Sequence, residues 1–311
     1  MPNRIKLIVV VILLVIGGCA RLPSPGLTPL RPANMAELQG YLLKHKADME
    51  QFRDRGPFAV EVRKNVAFSL PASEPVKADL YLSAHASKAA LVIILHGYEN
   101  GKEDHAYQAL HVATWGMHTL ALQLPNKGPW DENAKLLAQI VEGIYRQPGN
   151  LDKRIDAGRI ILAGHSFGAA AVAIALAEGA AATSGILLDP ASIDDNMPRH
   201  LGLIRKPVML VGADERISQT RDREYFFQYI RGGVAEISIK DAAHEDAQYP
   251  AEFPFQLFGG DSASSEERQI TFLSALTAAA FSFSATGKFD YAWDSFNAAV
   301  KNGRMLNPRK K

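Results

Sequence analysis

The sequence predicts an α/β fold, a mostly parallel twisted sheet of about eight strands with helices on both faces and a minimal cap. Three observations point there. Ala89 to Leu95 (AALVIIL) and His118 to Leu124 (HTLALQL) are continuous apolar runs, as expected of strands covered on both faces. Helical stretches of ten to fifteen residues, about His105 to Trp115 and Asp131 to Tyr145, separate the runs in a βαβα rhythm. Arg159 to Ala177 (RIILAGHSFGAAAVAIALA) passes from β-type residues through a tight turn, Gly164 to Gly168, into strong helix formers.

The elements follow in chain order. Arg4 and Lys6 precede an apolar run, Leu7 to Ile16, that ends in Gly17-Gly18-Cys19-Ala20. It is shorter than the ~20 residues of a membrane span and reads as an export signal over residues 1–18. Residues 20–33 carry four prolines among small residues and read as an extended tether. A helix from Met35 to Arg55 follows, closed by Gly56-Pro57, so residues 19–57 form a leader to the main domain. That domain is expected over 58–286. It opens with alternating Phe58, Val60 and Val62 and then Val76 to Ser83, an antiparallel pair. After Arg159 to Ala177 come strands at Gly185 to Leu188, Pro207 to Val211 and Val234 to Ile239, with a helix from about Thr220 to Ile230. Glu266 to Phe283 reads as a helix covering the sheet. The last region, 287–311, reads as an amphipathic helix from Phe289 to Val300 and a solvated basic tail carrying Arg304, Arg309, Lys310 and Lys311.

Composition narrows the function. The chain has 311 residues, is 47% hydrophobic and carries a net charge of +1 with both signs interspersed, so it offers no basic footprint for nucleic acid. Cys19 is the single cysteine, and there is no H-E-x-x-H motif or dense aspartate run. No metal or cofactor is expected.

Sites in open α/β sheets gather at the carboxyl ends of strands. The sequence places there His96-Gly97-Tyr98, Ser166, Asp189-Pro190, Gly212-Ala213-Asp214-Glu215 and Asp241-Ala242-Ala243-His244. The turn around Ser166 has the pattern G-x-S-x-G: flanking glycines let two backbones approach, and the helix start behind it offers unpaired N–H groups. Serine is a weak nucleophile at neutral pH and needs a base. His244, directly after a late strand, is that candidate. His165, inside the turn, reads as a packing residue.

The chain order serine, acid, histidine resembles that of the α/β-hydrolase superfamily, and the resemblance runs from about Phe58 to Ser284. It is closest to bacterial esterases, cutinase-like and dienelactone-hydrolase-like enzymes, which share the H-G-aromatic triplet seen at His96-Gly97-Tyr98. The resemblance implies a serine hydrolase cleaving carboxylic esters through an acyl-enzyme, with a small-molecule ester as substrate. A peptidase or thioesterase on the same fold, or a non-catalytic scaffold, are the rival readings. The family pattern G-x-x-D, counted from Gly212, reaches Glu215 as the acid; Asp214 falls one short, and Asp189 is a third candidate that otherwise reads as an Asp-Pro turn. The backbone N–H groups of Phe167 and Tyr98 are the expected oxyanion donors, and His96 is expected to hold the oxyanion loop. The short connection from Ala191 to Leu203 implies an open site, with Tyr98 and Phe167 beside it, suited to small or extended esters. Tyr249 to Phe255 reads as a packed surface loop. Ile16-Gly17-Gly18-Cys19 resembles the lipobox of bacterial lipoproteins. This implies acylation of Cys19 and attachment to a membrane, and Ala20 rather than Asp at the next position favours the outer one.

Overall fold

A computed structural model of the chain describes Pro32 and residues 34–68, 75–84, 87–214, 222–250 and 262–311. The chain divides at Arg31/Pro32, and the unit from Pro32 to Lys311 is compact. Expectations for the export signal, Cys19 and the tether lie outside the described residues.

The described residues form one nine-stranded sheet. β1 (Val60–Phe68) and β2 (Val76–Ser83) make the expected antiparallel pair. β3 (Ala89–Leu95), β4 (His118–Leu122), β5 (Ile155–His165), β6 (Ser184–Leu188), β7 (Val208–Ala213) and β8 (Val234–Ile239) run parallel to one another. β9 (Met305–Lys310) closes the far edge antiparallel to β8, giving the order β1-β2-β4-β3-β5-β6-β7-β8-β9. The basic end read as a solvated tail is therefore an edge strand. Its backbone pairs with β8 while most of its side chains stay exposed, which is why no apolar pattern announces it.

The parallel strands are buried on both faces, and each face has its own core. On one side pack α1 (Met35–Lys44), α2 (Ala106–Thr114) and α7 (Ser262–Thr286), with Leu38, Val112, Phe272 and Phe281 fully buried. On the other pack α3 (Trp130–Arg146) and α4 (Phe167–Ala177) with Leu137, Ile140 and Val172. The alanines of α4 let it lie close to the sheet, and Gly168 to Leu176 are buried without a break. Two short helices, α5 (Met197–Leu201) and α6 (Asp222–Tyr229), follow β6 and β7. The expected single helix over 289–300 is two pieces, α8 (Asp290–Ser295) and α9 (Asn297–Lys301).

Candidate active site

The parallel strands deliver the polar residues to one end. Ser166 follows β5 directly and caps α4 with φ 55° and ψ −125°, a conformation that costs an L-residue about 1–3 kcal/mol and persists only where neighbours enforce it. Here the glycines of the turn permit it. A Cβ on Gly164 would stand 2.5 Å from the Gly168 carbonyl oxygen, and one on Gly168 would stand 2.2 Å from that of His96. The turn is thus pressed against both α4 and the loop leaving β3. Ser166 is 8% exposed.

Parallel pairing of β5 with β6 places His165 opposite Leu188. The Ser166 N–H donates to the Leu188 carbonyl at 3.1 Å, and the Ala191 N–H donates back to the Ser166 carbonyl at 3.3 Å. Asp189 is held between these two bonds, with φ 37°. One carboxylate oxygen accepts from the Ala213 N–H at 2.8 Å. The other accepts from His244 Nδ1 at 2.6 Å. Arg223 stands 3.8 Å from the first oxygen and is anchored by donation to Ser238 Oγ at 2.9 Å.

The carboxylate that meets His244 among the described residues is therefore Asp189, the third of the candidates the sequence offers, rather than Asp214. β7 continues to Ala213, two residues beyond Val211, and Asp214 makes no hydrogen bond or ion pair among the described residues. Glu215 lies outside them. The physical reason is register: β6 ends beside the serine turn, and the left-handed bend at Asp189 aims its side chain toward the loop after β8. The Asp-Pro turn and the imidazole partner are one residue.

His244 opens a 3-10 turn, His244–Ala247. With Nδ1–H donated to Asp189, Nε2 keeps its lone pair and can accept a proton. Three further contacts hold this turn. His165 Nε2 donates to the His244 carbonyl at 3.1 Å, Gln108 Nε2 donates to the Ala247 carbonyl at 3.0 Å, and Asp246 accepts from the Ala243 N–H at 2.9 Å. Asp246 is in turn bonded by Ser265 and Arg268, both at 2.7 Å. His165 is no mere packing residue. Its Nδ1 accepts from Gln248 at 3.1 Å, and burial, helped by the neighbouring imidazoles of His244 and His105, holds its pKa well below the usual histidine range. It is the neutral ring the hydrogen bonds require. No local pattern distinguished it, because its partners lie 79 and 83 residues downstream.

His96 sits where expected. Nδ1 donates to the Gly97 carbonyl at 2.9 Å, while Nε2 accepts from the Leu124 N–H and Gln123 Nε2, both at 3.1 Å. Burial lowers its pKa, so it stays a neutral brace between the ends of β3 and β4. Beyond it, neither the Tyr98 nor the Phe167 N–H has a backbone acceptor among the described residues, which leaves both able to donate. Their rings meet edge to face at 6.1 Å, and Trp130 lies 5.8 Å behind Phe167. These rings wall one side of the site with apolar surface. Tyr249 instead packs on Tyr107 at 4.8 Å, and residues 251–255 of its loop lie outside the described residues. No group of three or more histidine, cysteine or acidic side chains among the described residues is arranged to hold a metal ion.

The comparisons agree with this architecture. The model of the alpha/beta hydrolase family matches residues 92–300, from within β3 to α9. No curated protein matches the chain. The match spans about two thirds of the sequence and takes in Ser166, Asp189 and His244, and with it the chain belongs to the alpha/beta hydrolase family.

Proposed function

We propose that the protein is a serine hydrolase of carboxylic esters in which Ser166 is the nucleophile, His244 the base and Asp189 the acid. The observation that carries this is the 2.6 Å bond from His244 to Asp189, whose neighbours Leu188 and Ala191 are bonded to the backbone of Ser166 in its strained strand-to-helix turn. Ser166 gives its proton to His244 Nε2 as it attacks the ester carbonyl. Asp189 fixes the imidazole tautomer and stabilises the cation that forms. His244 then protonates the leaving alcohol, and water repeats the sequence to free the acid. The Phe167 and Tyr98 N–H groups stabilise the oxyanion, a donor of this kind contributing about 3–4 kcal/mol in the transition state.

The connection from β6 to β7 holds only the five-residue α5. No large helical lid is built there, which supports small or extended esters. The experiment is labelling by a fluorophosphonate followed by hydrolysis of p-nitrophenyl esters and aminoacyl anilides. Labelling and ester turnover lost in Ser166→Ala support the reading. Labelling that survives Ser166→Ala overturns it, and preference for the anilides moves the assignment to a peptidase.

Attachment to a bacterial envelope membrane through acylated Cys19 belongs to the same proposal. Its support is the sequence around Cys19; no helix among the described residues is long and apolar enough to cross a membrane. Incorporation of labelled palmitate, abolished in Cys19→Ser, is the test.

A further inference from the structure

Among the described residues, the two ends of the sheet differ in their balance of charge. Because β3 to β8 are parallel, every loop either leaves their carboxyl ends, where Ser166 stands, or enters their amino ends. Leaving the carboxyl ends are Glu99, Asp131, Asp194, Asp195, Asp214 and Asp241, set against the exposed Lys127, Arg199 and Lys240, of which Lys127 pairs with Glu99 and Lys240 with Asp241. Entering the amino ends are Lys88 before β3, Lys153 before β5, Arg205 and Lys206 before β7, and Arg231 before β8. Lys311 joins them, since its backbone pairs with Val234 at the start of β8. All six cations are exposed and none is in an ion pair among the described residues. Glu178 and Asp290 stand against them, while Glu61, Asp152 and Asp156 at the same end are paired with Arg63, Arg154 and Arg159. With a net charge of +1 for the whole chain, this is a separation of charge rather than an excess. Helix carbonyl ends, which face the same way, favour cations in last helical turns. Lys88, Lys153, Arg205 and Lys206 precede strands, so that effect does not account for them.

The same end exposes large apolar side chains. Tyr145 closes α3 at 51% exposure, Tyr229 closes α6 at 37%, and Leu203 before β7 is 53% exposed. The Gly232 N–H donates to the Ile204 carbonyl at 2.9 Å, joining the loops that carry Leu203, Arg205 and Lys206 to those that carry Tyr229 and Arg231. Tyrosine and leucine among lysines and arginines is the composition that sits at a headgroup boundary. The start of α1 lies here as well: Met35 Sδ is against Gly116, just before β4.

We propose that this end of the sheet is a docking surface for an anionic phospholipid bilayer, which turns Ser166 and the acidic end toward the aqueous side. The surface does not require an acyl chain on Cys19. It does not require ester cleavage either.

The test uses the full chain carrying Cys19→Ser, with an environment-sensitive fluorophore on Leu203→Cys or on Glu99→Cys. Vesicles are phosphatidylcholine alone or mixed with phosphatidylglycerol, each doped with brominated lipid as a depth quencher. The Leu203 label is expected to be quenched on phosphatidylglycerol vesicles, with the effect fading as salt is raised, while the Glu99 label is not. Arg205→Glu with Lys206→Glu and Arg231→Glu is expected to lower vesicle affinity at least about tenfold and to leave hydrolysis of a soluble ester unchanged. Equal quenching on both lipids, quenching at Glu99, or a charge variant that binds as before overturns the proposal. So does retention on heparin without quenching on vesicles, which assigns the surface to a soluble polyanion. Should the triple variant unfold, the salt titration on the unmodified surface decides alone.

Discussion

His165 donates its Nε2 hydrogen to the backbone carbonyl of His244 at 3.1 Å, and their ring centroids lie 4.5 Å apart. The residue that precedes Ser166 thus sets the height of the loop that carries His244. Removing this donor frees the loop without touching substrate, and small misplacements of a catalytic group cost up to about a hundredfold. His165→Ala is expected to lower kcat about 10- to 100-fold with little change in KM. His165→Gln, which keeps an N–H donor, should recover part of the loss. Steady-state kinetics on a soluble ester check both, and unchanged kcat in His165→Ala would remove the link.

Asp189 is proposed as the acid because it bonds His244, so its substitution must separate from that of its neighbours. Asp189→Asn keeps the shape but lets the ring adopt the wrong tautomer, and kcat should fall by about 10³- to 10⁴-fold. Asp214→Asn and Glu215→Gln should stay within a few-fold of the parent. A large loss at Glu215 with a small one at Asp189 would reverse the assignment.

Gly168 tests how tightly the serine turn is fitted to the oxyanion loop. A methyl group there would stand 2.2 Å from the His96 carbonyl oxygen, so the backbone of the loop must move. Displacing a donor such as the Tyr98 N–H costs about 10²- to 10³-fold in kcat. Gly168→Ala should show a loss of this order together with a lowered Tm, whereas Gly149→Ala, where nothing lies within 4 Å, should change neither.

These variants also mark where the sequence was legible. The parallel strands announced themselves because burial on both faces leaves only apolar residues, as in Ala89 to Leu95. The serine turn was legible because its glycines are demanded by local contacts. The role of Asp189 was not, since it arises from the register between β5 and β6, and the residue follows the rules of an ordinary Asp-Pro bend. β9 was hidden for another reason. Its pairing is a backbone matter, and Asn307, with φ 52°, and Pro308 interrupt any strand pattern. The pairing of His165 with the His244 loop spans 79 residues and has no counterpart in any local window.

Buried histidines make the fold sensitive to mild acid. His105, His111 and His118 are pushed down to about 4, in each case chiefly by burial. In the unfolded chain such rings take up protons below about 6.5. Between pH 6.5 and 4 the unfolded state therefore binds more protons than the folded one, and stability rises with pH across that window. The contribution is complete above 6.5 and is lost as pH falls toward 4. Each ring supplies a slope of up to about 1.4 kcal/mol per pH unit. Urea unfolding at pH 7 and pH 5 should thus differ by several kcal/mol, before paired carboxylates such as Asp152 begin to titrate. His118 offers the cleanest dissection. It accepts from the Ser83 N–H at 3.1 Å and donates to the Arg154 carbonyl at 3.2 Å, and a glutamine amide can supply both roles. His118→Gln should keep most of the stability at pH 7 and reduce the pH dependence by up to one proton. An unchanged slope would mean that His118 does not enter the linkage.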